Sequence, residues 1–209
     1  MASSPLVNLP SLEEIQSASN DGLSALKKIV STLFEHSPVL DDHLVPKLAP
    51  STSTSYTNIV DRSAVIIKSW PPNLRSSFIS GHPRIGEQNP AQLSALSAAE
   101  QERYYTPKWV IERLGWLNAV YERRYEGLRY ITFVNGRTRT EVMEEMESRL
   151  GIPEKAQGPE WREREVVDNS SMSEKKVEMG GEEWLQELER AIGEIILIAK
   201  DRVKKLGLV

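Results

Sequence analysis

The sequence predicts an all-α fold, a helical bundle in a single domain that spans residues 1–209. Apolar residues recur at three- and four-residue spacing along most of the chain, which is the period of an amphipathic helix. Residues 130–134 have strong strand propensity but no evident partner strand, so we expect an extended connection there. The chain has 209 residues, 39% of them hydrophobic, which is enough to build one core.

The first two predicted helices lie in the N-terminal part of the chain. Ser11 and Glu14 have the spacing of a capping box, which predicts the start of a short helix. A second helix is predicted to end at about Phe34, shortly before Pro38. Its apolar stripe consists of Leu23, Leu26, Ile29, Val30 and Leu33. Residues 47–55 are rich in serine and threonine, and we expect a flexible loop.

Two further predicted helices lead to His82. Apolar residues between positions 59 and 70 predict the first, and Pro71 ends it because proline cannot continue a helix. The second is short and carries Leu74 and Phe78. His82 therefore follows directly on a predicted helix end.

The C-terminal half is also predicted to be helical. Helical pattern resumes near residue 97 and continues, with a break near Pro107, to about Tyr125. Residues 151–181 carry many charges and few apolar residues, so we expect an exposed and flexible insertion. The last helix is predicted over about residues 182–206. Its apolar stripe consists of Leu185, Leu188, Ile192, Ile195, Ala199, Val203 and Leu206.

A turn and a helix cap are predicted after residue 134. Asn135 and Gly136 form a dipeptide that is typical of tight turns. Thr138 and Glu141 have capping-box spacing, which predicts a helix that runs to about Leu150.

Composition excludes several classes of function. The formal net charge is −4 and no run of lysines or arginines occurs, so we expect no nucleic-acid partner. No stretch has the roughly 18 apolar residues of a membrane span, so we expect no membrane partner. The chain has no cysteine, which excludes thiol nucleophiles, disulfides and cysteine–zinc sites.

No metal site is expected either. His36, Asp41, Asp42 and His43 are metal-ligand types, but their spacing matches no known site. No phosphate-binding loop or dinucleotide fingerprint occurs. We see neither a secretory leader nor a C-terminal tripeptide of the Ser-Lys-Leu type, so we expect a cytoplasmic protein, with the peroxisome as the alternative.

His82 is the principal catalytic candidate in the sequence. It lies between Gly81 and Pro83, and imidazole is the side chain best suited to proton transfer near neutral pH. Pro83 keeps His82 out of the helical conformation, which either orients the imidazole or only ends a helix. The alternative is a structural histidine that is exposed or bonded to the backbone.

Ser97, Glu100 and Gln101 follow His82 at short range. Ser97 and Glu100 have capping-box spacing, and a cap alone would explain both residues. A helix N-terminus at this point would also place free backbone N–H groups beside Glu100 and Gln101, where an anionic substrate could bind. Both interpretations stay open.

Other polar residues allow two interpretations each. Asn118, Tyr121 and Arg124 share one helix face, either as part of a site or as packing and surface residues. Arg137 and Arg139 could each bind a carboxylate through a bidentate pair, or be solvated.

Together these segments resemble the 2-oxo-4-hydroxy-4-carboxy-5-ureidoimidazoline (OHCU) decarboxylase family of urate catabolism. The matching pieces lie in family order and span most of the chain. They are Leu33-Phe34-Glu35-His36-Ser37-Pro38, His82-Pro83-Arg84-Ile85-Gly86, Ser97 with Glu100 and Gln101, Leu117-Asn118 with Tyr121, Arg124 and Tyr125, residues 130–134 before Gly136-Arg137, and the helix that ends Ala199-Lys200-Asp201-Arg202. The chain departs from many members at Tyr125-Glu126-Gly127 and in the length of residues 151–181.

The resemblance implies an all-α homodimer of the OHCU decarboxylase type that needs no cofactor and converts OHCU to (S)-allantoin. It implies that His82 is the catalytic acid or base and that Glu100 orients the ureido and ring nitrogens. Arg137 is implied as a contact to the anionic substrate. The implied lining of the substrate site consists of Pro83, Ser97, Glu100, Gln101, Tyr130, Ile131, Thr132, Phe133 and Val134.

Two other functions remain open from the residues themselves. One is a non-enzymatic helical interaction module, in which His82 is structural and the acidic residues are solvated. The other is an enzyme of the same fold that acts on another ureide. A cavity that joins His82 to Glu100 discriminates the module from an enzyme, because only the enzyme needs it.

Overall fold

The computed structural model describes residues 9–16, 20–49, 53–89, 93–101, 105–152, 158–160 and 176–208. Within these ranges all regular secondary structure is helical, which confirms the predicted all-α class. The helices are α1 (Leu12–Gln16), α2 (Asn20–Phe34), α3 (Val45–Leu48), α4 (Tyr56–Lys68), α5 (Pro72–Ser80), α6 (Ala95–Gln101), α7 (Lys108–Arg124), α8 (Arg139–Leu150) and α9 (Glu182–Lys205). A π-helical segment, Leu40–Leu44, leads directly into α3.

The long C-terminal helix α9 is the centre of the bundle. It packs against α2, α4 and α5, while α7 packs against α8. Its predicted stripe is buried from Leu188 to Val203, with Leu185 and Leu206 half-buried at the two ends. Burial of this face, at roughly 25 cal/mol per Å² of apolar surface, is the main force that holds the helices together.

The predicted capping boxes at α1 and α8 are confirmed. The backbone N–H of Ser11 donates to Glu14 Oε2 (2.6 Å), and the N–H of Glu14 donates to Ser11 Oγ (3.2 Å). Thr138 and Glu141 make the same reciprocal pair at the start of α8. These bonds satisfy N–H groups that lack a partner inside the helix.

Two predictions for the N-terminal half are wrong in detail. Residues 47–55 do not begin as a loop, since α3 continues to Leu48 and buries that side chain. Of the serine- and threonine-rich part, the described Ser53 is buried and accepts a hydrogen bond from Arg62 (3.0 Å). Leu23, a predicted member of the apolar stripe of α2, is 46% exposed.

The ends of the predicted insertion at residues 151–181 are packed, which corrects the expectation there. Ile152 and Val177 belong to the hydrophobic core. The N–H of Val177 donates to the carbonyl of Arg124 (2.9 Å). Residues 153–157 and 161–175 lie outside the described part of the chain. Among the described helices, none has the length and hydropathy that a membrane span requires.

Candidate active site

A cavity of about 120 Å³ lies between the end of α2, α6, α9, the loop after α5 and the extended segment 130–134. The predicted site residues whose side chains are described all line it. They are His82, Pro83, Ser97, Glu100, Tyr130, Ile131, Thr132, Phe133, Val134 and Arg137. The side chain of Gln101 lies outside the described part of the structure. Residues distant in sequence are thus brought together around one space that joins His82 to Glu100.

The loop after α5 fixes His82 against the core. Its backbone N–H donates to the carbonyl of Ile79 (3.0 Å), which ends the helix. Gly86 then turns the chain with φ +79°, and a Cβ at this position would lie 3.1 Å from the side chain of Leu114. Only glycine satisfies both conditions without strain. The imidazole packs edge-on against Phe78 and is 5% exposed.

The environment of His82 favours the neutral imidazole. Burial lowers its pKa from 6.5 to about 4, and the positive charges of Arg202 and Arg129 act in the same direction. Glu35 and the carbonyl of Phe78 oppose this shift. Nδ1 lies 3.2 Å from that carbonyl, which assigns the proton to Nδ1. Nε2 is then the nitrogen that can accept a proton at neutral pH.

The predicted capping box of Ser97 and Glu100 is wrong. Helix α6 begins one turn earlier, where Ser94 Oγ accepts from the N–H of Ser97 (3.1 Å). Ser97 is therefore inside the helix, and its hydroxyl donates to Glu35 (2.7 Å). Glu100 lies at the C-terminal end of α6, so the free N–H groups of the helix start are not beside it.

Arg202 of α9 holds Glu100 in place. Its guanidinium donates to both carboxylate oxygens of Glu100 (3.1 and 3.0 Å) and also to Ser97 Oγ (3.0 Å). Two further bonds reach the carbonyls of Thr32 and Leu33 at the end of α2. Arg202 is 2% exposed, so the pair with Glu100 is charge-assisted and largely shielded from water.

Glu35 is the second carboxylate at this arginine. It directly follows α2, is buried, and lies 2.6 Å from Arg202 Nη2. Burial alone would raise the pKa of its carboxyl, but Arg202 and the hydroxyl of Ser97 stabilise the charge and the net shift is downward. Glu35 is therefore ionised at neutral pH.

The sequence analysis placed Glu35 and Arg202 in segments that match the family but gave neither a role in the site, although each carried a signal. Glu35 follows a helix C-terminus, where the macrodipole disfavours a negative charge. Arg202 falls within the apolar stripe of α9, three residues after Ala199 and one before Val203. A buried charged residue needs a partner of opposite charge, and Glu35 and Arg202 are partners of each other.

The extended segment 130–134 is held by side chains in place of a partner strand. Arg190 of α9 donates to the carbonyl of Ile131 (2.7 Å), and the N–H of Phe133 donates to Glu194 of α9 (2.6 Å). Arg137 donates to the carbonyl of Phe133 (2.6 Å) and forms an ion pair with Glu145. These bonds supply the partners that a second strand would otherwise provide.

The turn at Asn135 and Gly136 is confirmed. Both residues have positive φ (47° and 80°), as a type I′ turn requires. The N–H of Arg137 closes the turn on the carbonyl of Val134 (3.0 Å). The turn brings the Arg137 guanidinium back over the segment that it binds.

Asn118, Tyr121 and Arg124 do not line the cavity. Asn118 is buried and donates to the carbonyls of Ile85 and Leu114 (3.0 and 2.8 Å). Tyr121 donates to Glu187 of α9 (2.7 Å). The packing interpretation is thus the correct one for Asn118 and Tyr121, and Asn118 also fixes the loop that carries His82.

The described lining of the cavity is rich in positive charge. Five cationic side chains face three carboxylates there, although the whole chain carries a net charge of −4. The cations are Arg84, Arg137, Arg139, Arg202 and Lys205, and the carboxylates are Glu35, Glu100 and Asp201. Such a lining favours a small anion. Among the described residues, no group of three or more histidine or acidic side chains could hold a metal ion.

A neutral histidine and oriented charges around a small cavity in an all-α domain are features typical of an enzyme site for a small molecule. The family model described as OHCU decarboxylase matches residues 22–167, and the chain belongs to that family. The protein is therefore a carboxy-lyase, a decarboxylase of urate degradation. Comparison with curated proteins gave no match.

Proposed function

We propose that this protein decarboxylates OHCU and releases (S)-allantoin. One observation supports the proposal above all: neutral His82 and the fixed carboxylate of Glu100 line the same cation-rich cavity. The family supports a decarboxylase of urate degradation, and this substrate and product fit the chemistry of the cavity.

The substrate has groups that match both kinds of charge in the cavity. Its carboxylate is an anion, and Arg137 is the lining cation that we assign to it. Its ureido and ring N–H groups are donors, and Glu100 is an acceptor. Because Arg202 fixes both oxygens of Glu100, the carboxylate is oriented before the substrate arrives. Pro83, Ser97 and the segment 130–134 supply the remaining contacts.

The reaction breaks the carbon–carbon bond to the carboxylate and releases carbon dioxide. The electron pair passes into the ring, where the neighbouring nitrogens absorb the charge. Nε2 of His82 takes the proton of the substrate hydroxyl, which becomes a carbonyl, and returns that proton to the ring carbon from one face. Solvent supplies the one further proton that balances the loss of carbon dioxide from an anion.

Delivery of the proton from one side determines the chirality of the product. The imidazole cannot move freely, because Phe78 fixes both its plane and the proton on Nδ1. Proton transfer by a positioned side chain contributes roughly 10²–10⁴-fold in rate. We further propose a homodimer that needs no cofactor, as the family resemblance implies, and a cytoplasmic location.

The decay of the substrate tests this function. OHCU is generated in situ from urate, and its disappearance is followed with the protein, with heat-inactivated protein and with buffer alone. We expect a decay rate that rises in proportion to protein concentration, with release of one carbon dioxide per substrate. A decay rate equal to that in buffer would overturn the proposal.

A further inference from the structure

Glu35 is a buried carboxylate that lines the cavity but takes no part in the proposed proton transfer. It directly follows α2, and its φ of 65° lies in the left-handed region. A residue with a Cβ adopts this conformation at an energetic cost, which persists only where the surroundings enforce it. The conformation turns the carboxylate from the end of α2 into the cavity.

One oxygen of Glu35 receives donors from two other helices. Its Oε1 accepts from Ser94 Oγ (2.9 Å) and Ser97 Oγ (2.7 Å) at the start of α6, and lies 2.6 Å from Arg202 Nη2 of α9. Arg202 in turn binds both oxygens of Glu100. Glu35 is thus connected to Glu100 through one guanidinium.

We propose that Glu35 is a positioning residue for the decarboxylation. It holds Ser97 and Arg202 so that Arg202 presents Glu100 to the substrate, and its charge compensates that of Arg202 beside His82. This role rests on the proposed function, because it concerns the same cavity and the same substrate. No contact between Glu35 and the substrate is needed for it.

The charges around His82 give this role a measurable consequence. Glu35 from the end of α2 raises the pKa of the imidazole, whereas Arg202 from α9 and Arg129 before the extended segment lower it. Glu100 of α6 is paired with Arg202. The pair of Arg84 with Glu122 of α7 lies nearby, since Arg84 acts electrostatically on Arg129. Loss of the Glu35 charge alone should therefore lower the pKa of His82 further.

The test compares Glu35→Gln with Glu147→Gln. Glu147 is a matched control, because it is buried, binds Arg113 (2.7 Å) and lines no part of the cavity. For Glu35→Gln we expect kcat to fall about 10-fold or more, because misplaced groups lose much of their effect. In the same variant the titration midpoint of His82, followed by NMR and assigned with His82→Asn, should move to lower pH. Glu147→Gln should change only the melting temperature.

Wild-type kcat and an unchanged His82 midpoint in folded Glu35→Gln would overturn the proposal. If that variant does not fold, Ser94→Ala removes one bond to Glu35 together with the cap of α6, but keeps the charge of Glu35. It should then lower kcat without moving the His82 midpoint, and wild-type kcat would contradict the positioning role. Failure of the wild-type protein to act on OHCU would instead overturn the proposed function, while the midpoint still tests the charge effect.

Discussion

The surroundings of His82 suit the role that we propose for it, because the imidazole is buried and no carboxylate among the described residues is hydrogen-bonded to it. A partner carboxylate would hold the imidazole protonated, whereas burial lowers its pKa to about 4 and leaves it neutral. The bond from Nδ1 to Phe78 fixes the tautomer and leaves Nε2 as the acceptor. At the residue scale, we therefore expect the site to begin its cycle as a base and to become an acid only after it has taken a proton.

Replacement of this imidazole tests the assignment directly. His82→Asn retains a polar side chain of similar width but cannot accept a proton, so we expect turnover to fall at least about 10²-fold. Turnover is measured on protein whose circular dichroism spectrum and melting temperature show that it is folded. A folded variant with near-normal turnover would exclude His82 as the proton-transferring group.

The same burial makes stability depend on pH. The unfolded chain protonates His82 below its ordinary pKa of 6.5, but the folded protein does so only below about 4. The buried, neutral imidazole therefore contributes fully to stability above 6.5, its pKa in the unfolded chain. This contribution is lost as the pH falls towards about 4, its pKa in the folded protein. Between pH 7 and pH 5 this should remove about 2 kcal/mol from the free energy of unfolding.

Urea unfolding of the wild-type protein and of His82→Asn at both pH values measures this contribution. The variant lacks the titrating group, so its loss of stability on acidification should be smaller by that amount. Equal losses of stability in the two proteins would mean that the pKa of His82 is not lowered in the folded protein.

At the element scale, the extended segment 130–134 shows how strand propensity can be satisfied without a sheet. The sequence predicts both its extended shape and the turn after it, because aromatic and β-branched residues precede Asn135 and Gly136. It does not predict what holds the segment. Arg190 and Glu194 approach from α9, roughly sixty residues away in sequence.

Arg190 is expected to act on substrate binding through this segment. Arg190→Met removes the donor to the carbonyl of Ile131, so the segment loses part of its alignment along the cavity. We expect KM to rise several-fold while kcat changes less. Arg149→Met is the control, since Arg149 also pairs with Glu187 but makes no bond to the segment. Equal KM values in the two variants would contradict the expectation.

The error at α6 has a physical cause. Ser94 and Ser97 are three residues apart, and either could cap a helix from local sequence alone. Both hydroxyls donate to Glu35 at the end of another helix, and Ser94 Oγ also accepts from the N–H of Ser97 and so caps α6. These contacts join α6 to a residue roughly sixty positions away in sequence, so local pattern cannot decide between the two caps.

At the scale of the whole molecule, periodicity predicts the helices better than it predicts the site. The stripe of α9 and the capping boxes at Ser11 and Thr138 depend on neighbours in sequence, and all are found. The pair of Glu35 and Arg202 joins residues that only the packing of α2 against α9 brings together. A single sequence shows that each of the two residues is unusual at its position. It does not show that the two form an ion pair.

Residues 153–175 are expected to be dispensable for chemistry. Their sequence lacks an apolar stripe, whereas Ile152 and Val177 on either side are packed in the core. Replacement of residues 153–175 by a Gly/Ser linker long enough to join the two ends should leave folding and turnover near those of the full chain. Loss of turnover in a folded replacement protein would show that the segment takes part in the site.

The chirality of allantoin reports whether His82 delivers the proton, because only an oriented proton donor distinguishes the two faces of the intermediate. OHCU is generated in situ from urate, and circular dichroism follows the product with wild-type protein, with His82→Asn and with buffer. The predicted result is rapid formation of (S)-allantoin with the wild-type protein. In the other two samples allantoin should form slowly and without an excess of the (S) enantiomer. Racemic product with the wild-type protein, or an equal (S) excess with His82→Asn, would contradict it.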